Sequence, residues 1–152
     1  AKQILNIQKK KKVILIIGGS QGSEELNSLV KSLLSIFLSC NCFIIHQTGK
    51  SNATAVKKLY DEFYIDAFVF DFSEYMNRLF IAADIVISRA GAGTIAEIIF
   101  FKKKAILVPL KNLANNHQEL NALAAKHNNS HIEVFSTVEE LQISLFSKLS
   151  LL

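Results

Sequence analysis

The chain has 152 residues, half of them hydrophobic and a fifth charged, with a formal net charge of +4. That length fits one domain with a buried core, and that balance argues against disorder. Lys31 and Asp84 interrupt the longest apolar stretches, so no uncharged run approaches the roughly 18 residues that would mark a membrane span.

The first dozen residues are polar and lysine-rich and read as a linker-like lead, with the domain proper over 13–152. Strands and helices then alternate. Strands are predicted over Val13–Ile17, Cys42–His46, Ala67–Phe70, Ile85–Ser88, Ala105–Pro109 and His131–Phe135. Helices are predicted over Ser23–Ser39, Asn52–Phe63, Tyr75–Ala83, Thr94–Phe101, Asn116–Lys126 and Thr137–Lys148. Strands joined by crossover helices are parallel, and near-continuous hydrophobic strands fit a sheet covered on both faces. The expected fold class is α/β, a Rossmann-like parallel sheet with helices on both faces. Ligands of such sheets bind outside the carboxyl ends of the strands. The chain opens on Ala1 with no cleavable apolar segment, which suggests a piece of a longer protein or a processed start.

Much of the positive charge comes from Lys9-Lys10-Lys11-Lys12 and Lys102-Lys103-Lys104. Such clusters serve nucleic acid or an anionic membrane surface in some proteins, and solvated linkers and loops in more. No aromatic residues interleave with the lysines and no helix-turn-helix or zinc pattern appears, so nucleic acid is not an expected partner. Cys40 and Cys42 flank a single residue and read as reduced thiols of a cytosolic protein.

Two strand-to-helix turns are built on glycine. The second runs Ile85-Val86-Ile87-Ser88-Arg89-Ala90-Gly91-Ala92-Gly93-Thr94-Ile95-Ala96-Glu97, with its helix expected to start at about Thr94. The first runs Val13 to Ile17 and then Gly18-Gly19-Ser20-Gln21-Gly22. Glycine permits a sharp turn at positive φ and lets a ligand approach where a Cβ would stand. The free N–H groups of the following helix then favour an anion such as a phosphate. Glu97, one turn further on, is placed to accept hydrogen bonds from a ribose diol. Thr94 and Glu97 also fit a capping box, and spacing alone leaves both roles open. Thr137 to Glu140 has the same spacing without glycines, and only a cap is expected there.

Other patterns lead nowhere. The first glycine turn lacks the spacing of the dinucleotide fingerprint, and Thr48-Gly49-Lys50-Ser51 lacks the first glycine of a P-loop because Ile44 stands there. The histidines and cysteines form no ligand set for a metal, and no Ser–His–acid triad can be drawn. Asn116-His117-Gln118 follows the fifth strand and reaches the same rim as the glycine turns, where amides suit sugar hydroxyls. Phe72-Ser73 follows the third strand and offers a ring and backbone groups to a base.

These segments together resemble the MurG family of N-acetylglucosaminyltransferases. The resemblance rests on Gly18-Gly19-Ser20-Gln21-Gly22, His46-Gln47-Thr48-Gly49, Asp71 to Met76, Ala83 to Glu97, Ala105 to Leu110, Asn116-His117-Gln118 and Asn121-Ala122, in register from about Val13 to Lys126. It covers only the family's C-terminal domain. It implies half of a two-domain GT-B fold holding UDP-N-acetylglucosamine (UDP-GlcNAc), without metal or cofactor. By motif, Ser20 and the turn Ala92-Gly93-Thr94, continuing into Ile95 and Ala96, would contact the diphosphate and sugar. Glu97 would bind the ribose, Ser73 beside Phe72 the uracil, and Gln118 with His117 the sugar hydroxyls. Arg89 is a further candidate in the same segment.

The acceptor implied is a lipid-linked muramoyl-pentapeptide, brought by an N-terminal domain that also carries the catalytic base and is absent here. The implied place is the cytoplasm, peripheral to the inner face of the cell membrane. The isolated hexosyltransferase half is expected to bind donor and transfer little. Gly93, Asn116 and Lys111-Asn112-Leu113-Ala114 depart from the family pattern. A stand-alone subunit with a separate membrane-bound partner, a decayed remnant and a UDP-GlcNAc 2-epimerase-like domain remain alternative readings.

Overall fold

The computed structural model describes Ile7 and residues 11–18, 23–50, 52–109 and 116–151. Strands β1 (Lys12–Ile17), β2 (Cys42–Gln47), β3 (Ala67–Phe70), β4 (Ile85–Ser88), β5 (Lys104–Leu107) and β6 (Ile132–Val134) alternate with helices. The helices are α1 (Glu24–Ser39), α2 (Ala53–Glu62), α3 (Met76–Ala82), α4 (Ala92–Phe100), α5 (Asn116–Asn128) and α6 (Val138–Ser150). All strand pairs are parallel, in the order β3-β2-β1-β4-β5-β6. The chain builds outward from β1 to β3, returns through α3, and builds the other way from β4. The junction of β1 and β4 is therefore the point where the strand order reverses.

Alternation along each strand makes two cores. Val13, Leu15 and Ile17 of β1 join Val86, Leu107, Phe80, Ile95, Ile98 and Ala122 on the face carrying α3, α4 and α5. Ile14 and Ile16 join Ile44, Ile87, Leu33, Phe37, Tyr60 and Leu145 on the face carrying α1, α2 and α6. The central strands are buried on both sides, which is why they read as unbroken apolar runs. Ser23 caps α1 by accepting from the Leu26 amide at 3.2 Å, and Thr137 caps α6 by accepting from the Glu140 amide at 3.3 Å, the role expected of it.

Two expectations are corrected. The lysine-rich lead is not wholly solvated: Ile7 is buried in the first core, Lys11 pairs with Asp66, and Lys12 opens β1 and donates to the Leu149 carbonyl. Lys9 and Lys10 lie outside the described residues. The second lysine cluster is not simply a solvated loop either. Lys103 Nζ donates to the Ala83 carbonyl at 2.8 Å and to that of Ile81 at 3.2 Å, fastening the end of α3 to the loop before β5. No helix among the described residues is long and apolar enough to cross a membrane.

Candidate functional site

Ile17 and Ser88 are partners in the β1–β4 register, so Gly18 and Arg89 leave the sheet side by side at its carboxyl rim. Gly18 donates its amide to the Gln47 carbonyl at 3.3 Å, while 19–22, including Ser20, lie outside the described residues.

The second turn differs from its sequence reading in two ways. The helix begins at Ala92, two residues before Thr94, and Gly91 is its N-cap without any side-chain hydrogen bond. Thr94 therefore lies inside the first turn, and the capping box with Glu97 does not form. Gly91 also has φ −71° and ψ 138°, ordinary extended values open to any residue, so no left-handed turn requires it. Space is the better account. A Cβ added at Gly91 or at Gly93 would meet no atom within 4 Å. The amides of Ala92, Gly93 and Thr94, in the first turn of a helix, open onto that unfilled space.

Around this turn the candidates take up distinct positions. Ala92, Gly93 and Ala96 are exposed and Thr94 is half-buried. Ile95 is the exception: its side chain sits in the core and its amide donates to the Gly91 carbonyl at 3.0 Å, which makes it a packing residue. Glu97 is exposed one turn along α4, and partial burial against the helix pushes its carboxyl above the usual value.

Phe72, 68 % exposed, and Ser73 follow β3. The Ser73 hydroxyl accepts the Tyr75 amide at 3.1 Å and so is held within its own turn. On the opposite side α5 brings His117, exposed, and Gln118, half-buried, to the rim. Gln118 Oε1 is buried without a hydrogen-bond partner, as is Arg89 Nε. Buried polar atoms are nearly always paired, so each marks a place for an absent donor or acceptor. Arg89 points to the other face from α4, into a cavity of about 190 Å³ walled by Ser23, Leu26, Leu29, Val108 and Pro109. Asn121 carries a role that spacing does not reveal: its Nδ2 donates to the Ala90 carbonyl at 3.5 Å, tying α5 to the β4 turn. Among the described residues no group of three or more His, Cys, Asp or Glu side chains is placed to hold a metal.

Along the rim, β3, β1, β4 and β5 present in turn an aromatic with backbone groups, Gly18, the Gly91 turn, and the amide of Gln118. At about 4.8 Å per strand, the ends of β3 and β4 stand about 14 Å apart.

A doubly wound parallel sheet with this rim defines the Rossmann-like half of a GT-B glycosyltransferase, as its solved neighbours also have it. Residues 13–150 match the glycosyltransferase family 28 C-terminal domain, and the chain belongs to that family. The expected likeness to MurG holds. The UDP-N-acetylglucosamine--N-acetylmuramyl-(pentapeptide) pyrophosphoryl-undecaprenol N-acetylglucosamine transferase of Campylobacter jejuni subsp. doylei is 40 % identical over 116 residues, 76 % of this chain and 34 % of that protein. The crystal structure of Acinetobacter baumannii MurG superposes with a TM-score of 0.78 at 30 % identity, covering 95 % of this chain and 43 % of that one. The solution structure of ALG13 shares the fold at 19 % identity and a TM-score of 0.68, with 93 % of this chain and 86 % of that one covered. The chain spans about a third of the length of the curated relatives it matches.

Proposed function

We propose that this chain is the donor-binding half of an inverting N-acetylglucosaminyltransferase of peptidoglycan synthesis, holding UDP-GlcNAc along the carboxyl rim of the sheet. The order of groups on that rim carries the reading. Phe72 and Ser73 at β3, the α4 N-terminus at β4 and Gln118 after β5 follow the order of base, diphosphate and sugar in the donor. Glu97 takes the ribose hydroxyls, whose O–H groups donate to its carboxylate. The amides of Ala92 to Thr94 and the positive end of α4 hold the diphosphate, a role its motif also gives to Ser20. Gln118 Oε1 accepts from a sugar hydroxyl, which supplies its lacking partner.

The chemistry is displacement at the anomeric carbon. The C4 hydroxyl of a lipid-linked muramoyl-pentapeptide attacks, UDP leaves, and the configuration inverts. Negative charge grows on the leaving diphosphate, and a fixed helix N-terminus stabilises it without reorganising. The residue that takes the acceptor's proton belongs to a second domain, because a GT-B cleft positions donor and acceptor between two halves. That second half is either joined to this chain in a longer protein or a separate membrane-bound subunit. Through its acceptor the enzyme works at the inner membrane surface.

The test is calorimetry with UDP, UDP-GlcNAc and UDP-glucose, beside a transfer assay on the chain alone and with a family N-terminal domain added. Donor binding with transfer only in the presence of the second domain is the expected result. Absence of UDP binding by the folded chain, or full turnover by the chain alone, would refute the proposal.

A further inference from the structure

We propose that the groove between α1 and α2 holds the carboxyl-terminal end of the acceptor's peptide, so that the donor half also takes part in acceptor recognition. α1 and α2 follow β1 and β2 and cover the same face of the sheet. Between them lies a groove of about 420 Å³, with Asn27 and Lys31 on the α1 wall and Ala55 and Leu59 on the α2 wall. That volume is in the range of small-ligand sites.

Asn27 asks for a bound donor. It is only 9 % exposed, and its Nδ2 donates to the Thr48 carbonyl at 3.4 Å. Its Oδ1 is buried without a hydrogen-bond partner, and buried acceptors are nearly always paired. Lys31 stands one turn further along the same face of α1, exposed, and joins no ion pair among the described residues. The other lysine of the groove, Lys58, is already paired with Glu62 at 3.8 Å.

An acceptor for an N–H and a free cation one helical turn apart, about 6 Å, suit the last residue of a peptide. Its amide N–H donates to Asn27 Oδ1, and its carboxylate meets the Lys31 ammonium. Glu24 at the rim end of the groove repels that carboxylate and so turns it inward, toward Lys31. A simple anion would leave Asn27 without a donor, and an amine would leave Lys31 without a counter-charge.

The identity of the peptide rests on the transferase reading given above, in which the acceptor is a lipid-linked muramoyl-pentapeptide. β4, which leads to the donor diphosphate, lies two strands from β2, a distance of about 10 Å. A pentapeptide extends at most about 17 Å, so one that starts from a sugar beside the α4 amino end reaches the groove with about 7 Å, or two residues, to spare. The donor half would thereby distinguish a full-length peptide from a shortened one.

The test is amide chemical-shift mapping of the full chain with lipid-free N-acetylmuramoyl-pentapeptide, against N-acetylmuramic acid alone, with UDP titrated separately into the same samples. The pentapeptide is expected to shift Asn27, Ser28, Lys31 and Ala55 with a Kd of about 1 mM, and N-acetylmuramic acid is expected to leave them unmoved. Lys31→Glu on one wall and Ala55→Glu on the other should each weaken pentapeptide binding at least about tenfold by repelling the carboxylate. Both positions are exposed, so both variants should fold and should bind UDP as wild type does. A chain that binds UDP and shows no pentapeptide shift in the groove would overturn the peptide site and leave the donor site standing. Equal shifts from N-acetylmuramic acid, or variants that bind the pentapeptide like wild type, would overturn it too. Groove shifts in a chain that ignores UDP would keep the peptide site and refute the donor reading.

Discussion

Ile17 on β1 and Ser88 on β4 stand opposite each other in the sheet, which sets the turn beginning at Gly18 beside the turn beginning at Arg89. Gly18 and Arg89 are 71 positions apart in sequence and come from the two halves of the doubly wound sheet. The reversal of strand order between β1 and β4 opens a crevice at the rim, and the first turn of α4 lies beside it. Four predictions follow from this arrangement and from the buried groups behind it.

Glu97 is exposed one turn inside α4, and its proposed role is to accept from the ribose hydroxyls of the donor. Glu97→Ala is expected to leave thermal stability within about 0.5 kcal/mol, as an exposed substitution should. UDP affinity should fall about tenfold to a hundredfold, the worth of hydrogen bonds to a charged acceptor. Because partial burial raises the carboxyl above its usual value, wild-type affinity for UDP should begin to drop at a higher pH than an ordinary carboxylate would dictate. Calorimetry across acidic pH, with the variant as the flat control, checks both statements.

Gly91 separates a steric need from a conformational one. Its backbone angles suit any residue, and an added Cβ touches nothing in the free protein. Gly91→Val should therefore fold, with a loss of at most about 1 kcal/mol from a poorer cap. It should still bind UDP at least about tenfold more weakly, because the side chain fills the space in front of the α4 amides. A melt and a titration on the same sample distinguish this from mere destabilisation.

Gln118→Ala should discriminate between ligands. Gln118 Oε1 is buried and unpartnered, and it faces the part of the rim assigned to the sugar. The variant should bind UDP-GlcNAc about fivefold to twentyfold more weakly and UDP as well as wild type does. Equal loss for both ligands would move Gln118 to the diphosphate.

The strands, the helices and their parallel pairing were legible because they follow from local pattern. β3 and β4 lie where their β-branched and aromatic runs predict, and the carboxyl rim follows from parallel pairing. The start of α4 was not legible, since Ala92-Gly93 reads as a breaker while the helix is entered through Gly91 without a side-chain cap. The fastening of Lys11 to Asp66 and of Lys12 to Leu149 was also hidden, because those partners lie far along the chain. The orphaned Arg89 Nε and Gln118 Oε1 are consequences of burial, which composition and spacing do not report.

His46 carries a prediction about stability. It is fully buried, its Nδ1 shares a 2.9 Å hydrogen bond with the Tyr60 hydroxyl, and burial lowers its pKa to about 3. In the unfolded chain it titrates near 6.5, so the unfolded state takes up the proton first. Stability should be full above about pH 6.5 and decline as pH falls toward about 3, by an amount on the order of 5 kcal/mol if His46 acts alone. Urea unfolding of wild type and His46→Gln between those limits checks it. The variant, which has no imidazole to protonate, should show a shallower slope.

The most direct test of the account is amide chemical-shift mapping of the chain titrated with UDP-GlcNAc and, separately, with UDP. The account predicts large shifts at Ala92, Gly93 and Thr94 and at Phe72 and Ser73 with either ligand, and at Gln118 only with the sugar nucleotide. Shifts confined to the cavity beside Arg89 and Leu29, or an unchanged spectrum from the folded chain, would contradict it.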